Sequence, residues 1–444
     1  MATKTTHIDP MRGKSIGASQ PAVRNDDVEK KGEDSTELGA PPTSMEFPEG
    51  GLMGWLCVLG ATLIVFCTFG YANTFGIFQS YYQLEAFPNQ SASDISWVGS
   101  IQLFLQFSLG AVTGPLYDKG YFRAIVGAGI ILYIISVFMI SLCKTFWQVV
   151  LAQGLALGTG IGLLFLPSLS IVSHYFFKRR AFAIGIVTAG SSLGGICLPI
   201  MLNNLIVSHG FAKAVQYTSI LLSLLLVIAF TLIHPRLPPK KGGAPPPSAK
   251  KIFSSVPFVF LVVGFFCVSM GLYFPIYYLQ VFAAEKGISK NLTFYTIAIL
   301  NASSTFGRII PNRVADHVGS LNCLVFMCSG AGIMVFAMFG AGTPGGLIAV
   351  AIIYGFFSGG YNSLFAPALL SLTEDFSEIG MRLGMAFLVV SLAVLTGTPI
   401  NGALLARFGF YAPIIYSGVF VCTGAGAMTV TLVLQRRAKG TWKV

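Results

Sequence analysis

Apolar residues along this chain come in long unbroken runs, not in the alternation of a half-buried strand. Runs of the length that crosses a bilayer, about 20 residues, lie at roughly 54–82, 95–117, 124–143, 147–173, 181–207 and 215–234. A second set follows at roughly 256–282, 292–312, 321–342, 346–370, 383–406 and 411–434. The pattern predicts an all-α membrane protein of twelve transmembrane helices in two six-helix bundles, 49–234 and 256–434. Polar segments frame them. Residues 1–48 hold no apolar run and read as a disordered cytoplasmic tail; 235–255, rich in Pro and Lys, reads as a cytoplasmic linker; 435–444 is a short cytoplasmic tail.

Composition agrees with the runs. The chain is 54% hydrophobic and 10% charged, with a mean hydropathy of +0.74 and a net charge of +11. That charge does not point to nucleic acid, because the cations sit in short loops. With both termini inside, sixteen Lys and Arg fall in cytoplasmic segments after the first run and five in outer loops; six more lie in the N-terminal tail and one, Arg308, within a run. This bias places both ends in the cytosol, and the cell membrane is the expected location. The first helix is the expected targeting signal. All eight cysteines fall inside the runs, so no disulfide framework is expected.

The stretch from Tyr175 to Gly195, YFFKRRAFAIGIVTAGSSLGG, carries two signals. Lys178, Arg179 and Arg180 mark a tight cytoplasmic hairpin between two spans. Beyond them Gly185, Gly190 and Gly194 recur at nearly one per turn, the spacing that lets a second backbone approach closely in lipid. A generic membrane hairpin accounts for the charges alone. The halves also repeat: GPLYDKGYFR follows the second run and NRVADHVG the eighth, with Asp118 and Asp316 198 residues apart. Six-helix halves in parallel repeat suit carriers that rock one half against the other.

These residues resemble the major facilitator superfamily, and within it the fungal form of the monocarboxylate-porter-like branch. The approach to the first helix, PEGGLMGWLCVLGA (Pro48 to Ala61), is similar to that branch's acidic-Gly-Gly-x-x-x-Trp signature. Tyr175 to Gly194 resembles its fifth-helix signature, and the GPLYDKGYFR loop resembles the superfamily's loop motif. The resemblance implies alternating access by two bundles around a central site, with one chain as the transport unit. Gly114, Asp118, Gly120, Arg123 and Asp316 are then expected to form a conformational latch, a carboxylate at a helix end facing the opposite bundle; a plain tight turn is the simpler reading.

Only eight acids lie from Gly50 onward, all in loops or at helix ends. Arg308 is the one cation clearly within a run, a placement costing about 2.5–3.5 kcal/mol on insertion scales. It shares a helical face with Asn301 and Ser304. Tyr273 and Tyr277 in the seventh helix, Asn73 in the first, Gln106 in the second, and Tyr361 and Asn362 in the tenth complete the expected substrate site. Hydrogen bonding between helices is the structural alternative for these groups, and snorkelling to the surface is the alternative for Arg308. By resemblance, Arg308 stands where the family's helix-eight arginine pairs with a substrate carboxylate. The lysine and aspartate that accompany it in lactate carriers are replaced here by Asn73 and Ser304, so the means of proton coupling stays open.

No metal-ligand cluster, nucleophile elbow or nucleotide cassette is present, and neither cofactor nor enzymatic activity is expected. The sequence therefore predicts a secondary carrier of a small organic acid or other metabolite, with export of a fungal natural product as one version. A transporter-derived metabolite sensor is the alternative. Asn89 and Asn291 match the glycosylation acceptor pattern.

Overall fold

A computed structural model describes residues 49–236, 252–373 and 379–444. The expected tail 1–48, the middle of the linker, and Glu374, Asp375 and Glu378 lie outside the described residues. The long helices are α1 Gly51–Tyr81, α2 Asp94–Asp118, α3 Phe122–Ile140, α4 Phe146–His174, α5 Arg180–His209 and α6 Phe211–Leu232. They continue as α7 Val256–Glu285, α8 Lys290–Val318, then α9 Ser320–Gly340, α10 Pro344–Leu370, α11 Ile379–Phe408 and α12 Tyr411–Lys439.

Eleven of these are long and apolar enough to cross a membrane; α8 is not among them. It is 29 residues long, but Asn301, Arg308, Asn312, Arg313 and Asp316 dilute its apolar content. The helix expected at 292–312 thus exists, and its polar stripe separates it from the rest. Side chains such as Ile131, Leu224, Phe326 and Ile333 are exposed on the outside, as a hydrocarbon environment requires.

Turn chemistry repeats at the offset seen in the sequence. Gly120 closes the α2–α3 turn at φ 88° and Gly319 the α8–α9 turn at φ 100°. Gly210 (φ 78°) joins α5 to α6 and Gly409 (φ 66°) joins α11 to α12. Only a residue without Cβ adopts these angles at little cost, so the same two corners recur in each half. Elsewhere the ends are capped locally, as where Ser91 accepts from the Asp94 N–H at 3.1 Å to start α2.

Within the first half, α5 lies directly on α1. A Cβ placed on Gly194 would sit 2.6 Å from the Gly70 Cα, and one on Gly190 would collide with the Thr62 carbonyl. The expected close approach is therefore present, but at these two glycines the partner belongs to the same half. Contact across the halves falls instead to Gly185 and Gly195, whose added Cβ atoms would meet Asn312 at 2.8 Å and Asn301 at 3.1 Å. The two sequence signatures also meet here. Glu49 accepts hydrogen bonds from the N–H groups of Phe177, Lys178 and Arg179 at 2.9, 2.6 and 3.2 Å, and Trp55 packs edge-on to Phe176 at 5.1 Å.

Buried tyrosines tie further neighbours. Tyr133 donates to the Cys67 carbonyl at 2.7 Å, linking α3 to α1, and Tyr354 donates to the Leu272 carbonyl, linking α10 to α7. Each satisfies a hydroxyl that lipid would leave bare.

Because α5 has no clearance over α1, Gly194→Leu is expected to destabilise the first half by about 3 kcal/mol or more, at or beyond the upper end of overpacking costs. Thermal unfolding of the detergent-purified protein, followed by size-exclusion profile, reads this directly; an unchanged midpoint would refute the packing.

Candidate functional site

Two rows of contacts join the halves. On one side, the Asp316 carboxylate at the end of α8 accepts from Ala181 N–H at 3.0 Å and Phe182 N–H at 3.1 Å, the first residues of α5. From there the helices run antiparallel. Gly185 packs on the Arg308 carbonyl, Arg308 Nη1 donates to the Thr188 carbonyl at 3.3 Å, Ser192 Oγ donates to Ser304 Oγ at 3.1 Å, and Asn301 Nδ2 reaches the Gly195 carbonyl at 3.5 Å.

The opposite side repeats this with other side chains. Asp118, at the end of α2, accepts from Gly380 N–H at 3.1 Å and Met381 N–H at 3.0 Å, at the start of α11. Gly114 then packs on Gly380 and Gly110 on Gly384, and the Phe107 and Phe387 rings meet at 5.7 Å. A helix N-terminus presents unpaired N–H groups and a partial positive charge, so a carboxylate is a fitting partner. Each such charged hydrogen bond is worth about 1.5–3 kcal/mol.

The residues expected to form a latch divide accordingly. Asp118, Asp316 and Gly114 lie at the contact between halves. Gly120 shapes the adjoining turn, and Arg123 sits over the Phe230 ring at 5.2 Å, inside its own half. Arg313 stacks on Phe182 at 5.5 Å across the halves, a contact no sequence spacing announced.

Between the rows is a cavity whose space, counting its open part, is about 950 Å³. Asn73, Tyr273, Asn301, Ser304, Arg308, Tyr361 and Asn362 all line it. Tyr277 and Gln106 do not. Tyr277 stacks behind Tyr273 at 6.1 Å. Gln106 is buried, and neither of its amide atoms has a hydrogen-bond partner among the described residues.

Arg308 is held by neutral groups: Nε donates to Ser304 Oγ at 3.3 Å, and Nη1 to the Thr188 carbonyl. The adjacent Asn312 donates to the Arg308 carbonyl at 2.7 Å and to Ser363 Oγ at 2.5 Å, fixing this turn of α8 against α10. Thr188 and Ser191 of α5 add to the polar side. Facing them are the rings of Phe69, Phe107, Phe165, Phe365 and Phe387. Single-residue reasoning missed this aromatic wall, because phenylalanines in apolar runs look alike whether they face lipid or a cavity. Of the acceptor sites, Asn89 lies exposed in the turn before α2 and Asn291 exposed in the first turn of α8.

Residues 59–374 match the family model described as Major Facilitator Superfamily. The chain is 40% identical over 385 residues to the aspyridones efflux protein apdF of Emericella nidulans, covering 86% of this chain and 78% of that one. It is 35% identical over 393 residues to the agnestins efflux protein AgnL12 of Paecilomyces divaricatus, covering 88% and 89%. Among solved structures, the proton:xylose symporter XylE superposes with a TM-score of 0.69 at 16% identity, over 85% of this chain and 95% of that one; this speaks for the fold alone.

If the carboxylates hold the halves together, Asp118→Asn and Asp316→Asn should each loosen the side of the molecule that bears Lys178. An amide offers one acceptor oxygen and no charge, so a loss of about 1.5–3 kcal/mol translates to roughly 10- to 100-fold in the open population. Modification of a cysteine placed at Ser191 by a bulky thiol reagent applied from that side should accelerate accordingly. Unchanged rates in both variants would remove the latch assignment.

Proposed function

The chain belongs to the Major Facilitator Superfamily, and from that premise we propose that it is a secondary carrier exporting an organic acid or related small metabolite by alternating access. The observation that carries this reading is Arg308: a guanidinium in a cavity at the junction of the halves, with no carboxylate partner among the described residues. Relatives named as efflux proteins for aspyridones and agnestins support export of a natural product. The fungal monocarboxylate-porter-like branch is the proposed subfamily. Nothing observed favours a sensor.

In this reading the twelve long helices form two bundles of six, with α8 as the twelfth span, tolerable in a membrane because its polar face is turned to protein and cavity. The face that bears Lys178 and Arg179 is cytosolic, in the cell membrane, and one chain is the transport unit. The conformation is closed on that face by Asp118 and Asp316. A substrate anion arriving at Arg308 meets a planar fork of donors, while Ser304 and Thr188 hold the fork in place. For export, release of both carboxylates from the α5 and α11 N-termini parts the halves on the cytosolic side and admits the anion; their return closes that side behind it, and the substrate leaves on the opposite face. Among the described residues the cavity lining holds no acid, so proton coupling would run through the substrate itself or through a group outside the proposed site.

Transport of an organic anion in proteoliposomes tests this. Arg308→Lys should lower transport strongly, since a point charge cannot reproduce the two-pronged contact. Arg308→Gln should reduce it by about 10-fold or more, the worth of a charged hydrogen bond, while a neutral analogue is much less affected. Parental rates in Arg308→Gln would leave the arginine a mere interfacial group. Orientation is checked separately: a cysteine at Lys178 should react with an impermeant reagent only from the cytosolic side.

A further inference from the structure

The two rows between the halves are built alike but surfaced differently. Thr188 lies seven residues beyond Ala181 in α5, and Phe387 seven beyond Gly380 in α11. Both are therefore about 10 Å along their helices from the residue that the opposing carboxylate holds. At that matched depth one side carries the Arg308 guanidinium on the Thr188 carbonyl. The other carries a cluster of rings.

That cluster crosses the halves. Phe387 contacts Phe107 at 5.7 Å and Phe165 at 5.2 Å from the first half. From its own half it takes Phe365, stacked at 4.6 Å with ring planes 6° apart. Phe69 extends the wall, 4.7 Å from Phe165. All five line the cavity. A wall of rings offers flat faces and edges of opposite polarity, which favour another flat π-system over a saturated chain of the same size. The facing side offers neutral hydrogen-bonding groups and a single positive charge; among the described residues Arg308 is the only charged one of the lining.

We propose that the cavity selects a planar aromatic monoanion, its ring system against Phe387 and Phe107, with Phe365 stacked between Phe387 and Phe265 behind them, and its acidic group on Arg308. This rests on the carrier reading and narrows it: a saturated fatty acid lacks the flat face, a neutral aromatic lacks the charge, and a dianion would bring one charge too many. The nearby hydroxyl and amide groups of Ser304, Asn301, Tyr361 and Asn362 would take up carbonyl and hydroxyl substituents along the rim.

The test uses the full chain in lipid nanodiscs and three probes sharing one carbon skeleton: 2-naphthoate, 2-naphthamide and decahydro-2-naphthoate. Titration calorimetry should give 2-naphthoate about 10-fold or greater preference over the amide, the worth of a charged hydrogen bond. Its preference over the saturated acid should be about fivefold, the scale of an aromatic contact. Phe387→Leu should abolish the preference for the flat ring and keep that for the charge; Arg308→Gln should do the reverse. Phe365→Leu is the second ring variant, and thermal midpoints verify that each is folded.

Equal binding of the three probes, binding of none, or preferences that survive the matching substitution would overturn the assignment. The carrier reading is judged separately by flux. A chain that moves a saturated or neutral metabolite through this cavity would remain a carrier with the wrong substrate class assigned here.

Discussion

Two carboxylates join the halves on one side, and the rest of the arrangement depends on where they land. Asp118 and Asp316 each end a helix in one half and accept two backbone N–H groups from the first turn of a helix in the other. Nothing in this contact requires a side chain from the recipient helix. Backbone donors remain when residues around them change, and they aim along the helix axis, where a carboxylate is a fitting partner. Because each acid sits beside a glycine corner, Gly120 or Gly319, its position is set by a rigid turn and not by a long side chain.

Once the ends are fixed, α5 against α8 and α2 against α11 are bound to run antiparallel in register, and the side chains facing the gap are decided by helical spacing. The two rows then diverge. One uses Gly185 to bring α8 close and spends the following positions on Thr188, Ser192 and Gly195; the other spends them on Gly384 and Phe387. A repeated backbone frame thus holds two unlike surfaces, and the cavity between them has a polar side and a ring-lined side. Duplicated geometry with divergent side chains is an economical way to obtain an amphipathic site, since only the lining has to differ.

Much of the frame was legible in the sequence because it follows from long apolar runs, loop charge and a repeat of about 200 residues. Seven of the nine residues expected at the cavity line it, for a physical reason: Asn, Ser and Arg in a span must face protein or water, so a helical stripe such as Asn301, Ser304 and Arg308 points inward. Gln106 is buried in protein and Tyr277 half-buried beside Tyr273 of its own helix, both away from the lining, which the rule equally allows. The aromatic wall was illegible, since a Phe in a span is content in lipid, in a core or in a cavity. Gly190 and Gly194 show the same limit from another direction. Their spacing announces close approach, yet only the tertiary arrangement says that the helix approaching is α1 of the same half.

The solitary charge of Arg308 has a consequence for an alternating carrier on the proposed reading. Between substrates, its guanidinium is compensated among the described residues by the dipoles of Ser304 Oγ and the Thr188 carbonyl, contacts weaker than an ion pair and made partly across the halves. The Thr188 contact is itself one rung of the closed row. Parting the halves on the closed side breaks that rung and withdraws a partner from a desolvated cation, a costly step when nothing replaces it. A bound anion replaces it. For an exporter that anion enters from the opened cytosolic side, so it would stabilise the open, loaded state by satisfying Arg308 independently of Thr188, and loading is linked to the row through one side chain. Such a link needs no acid on the protein.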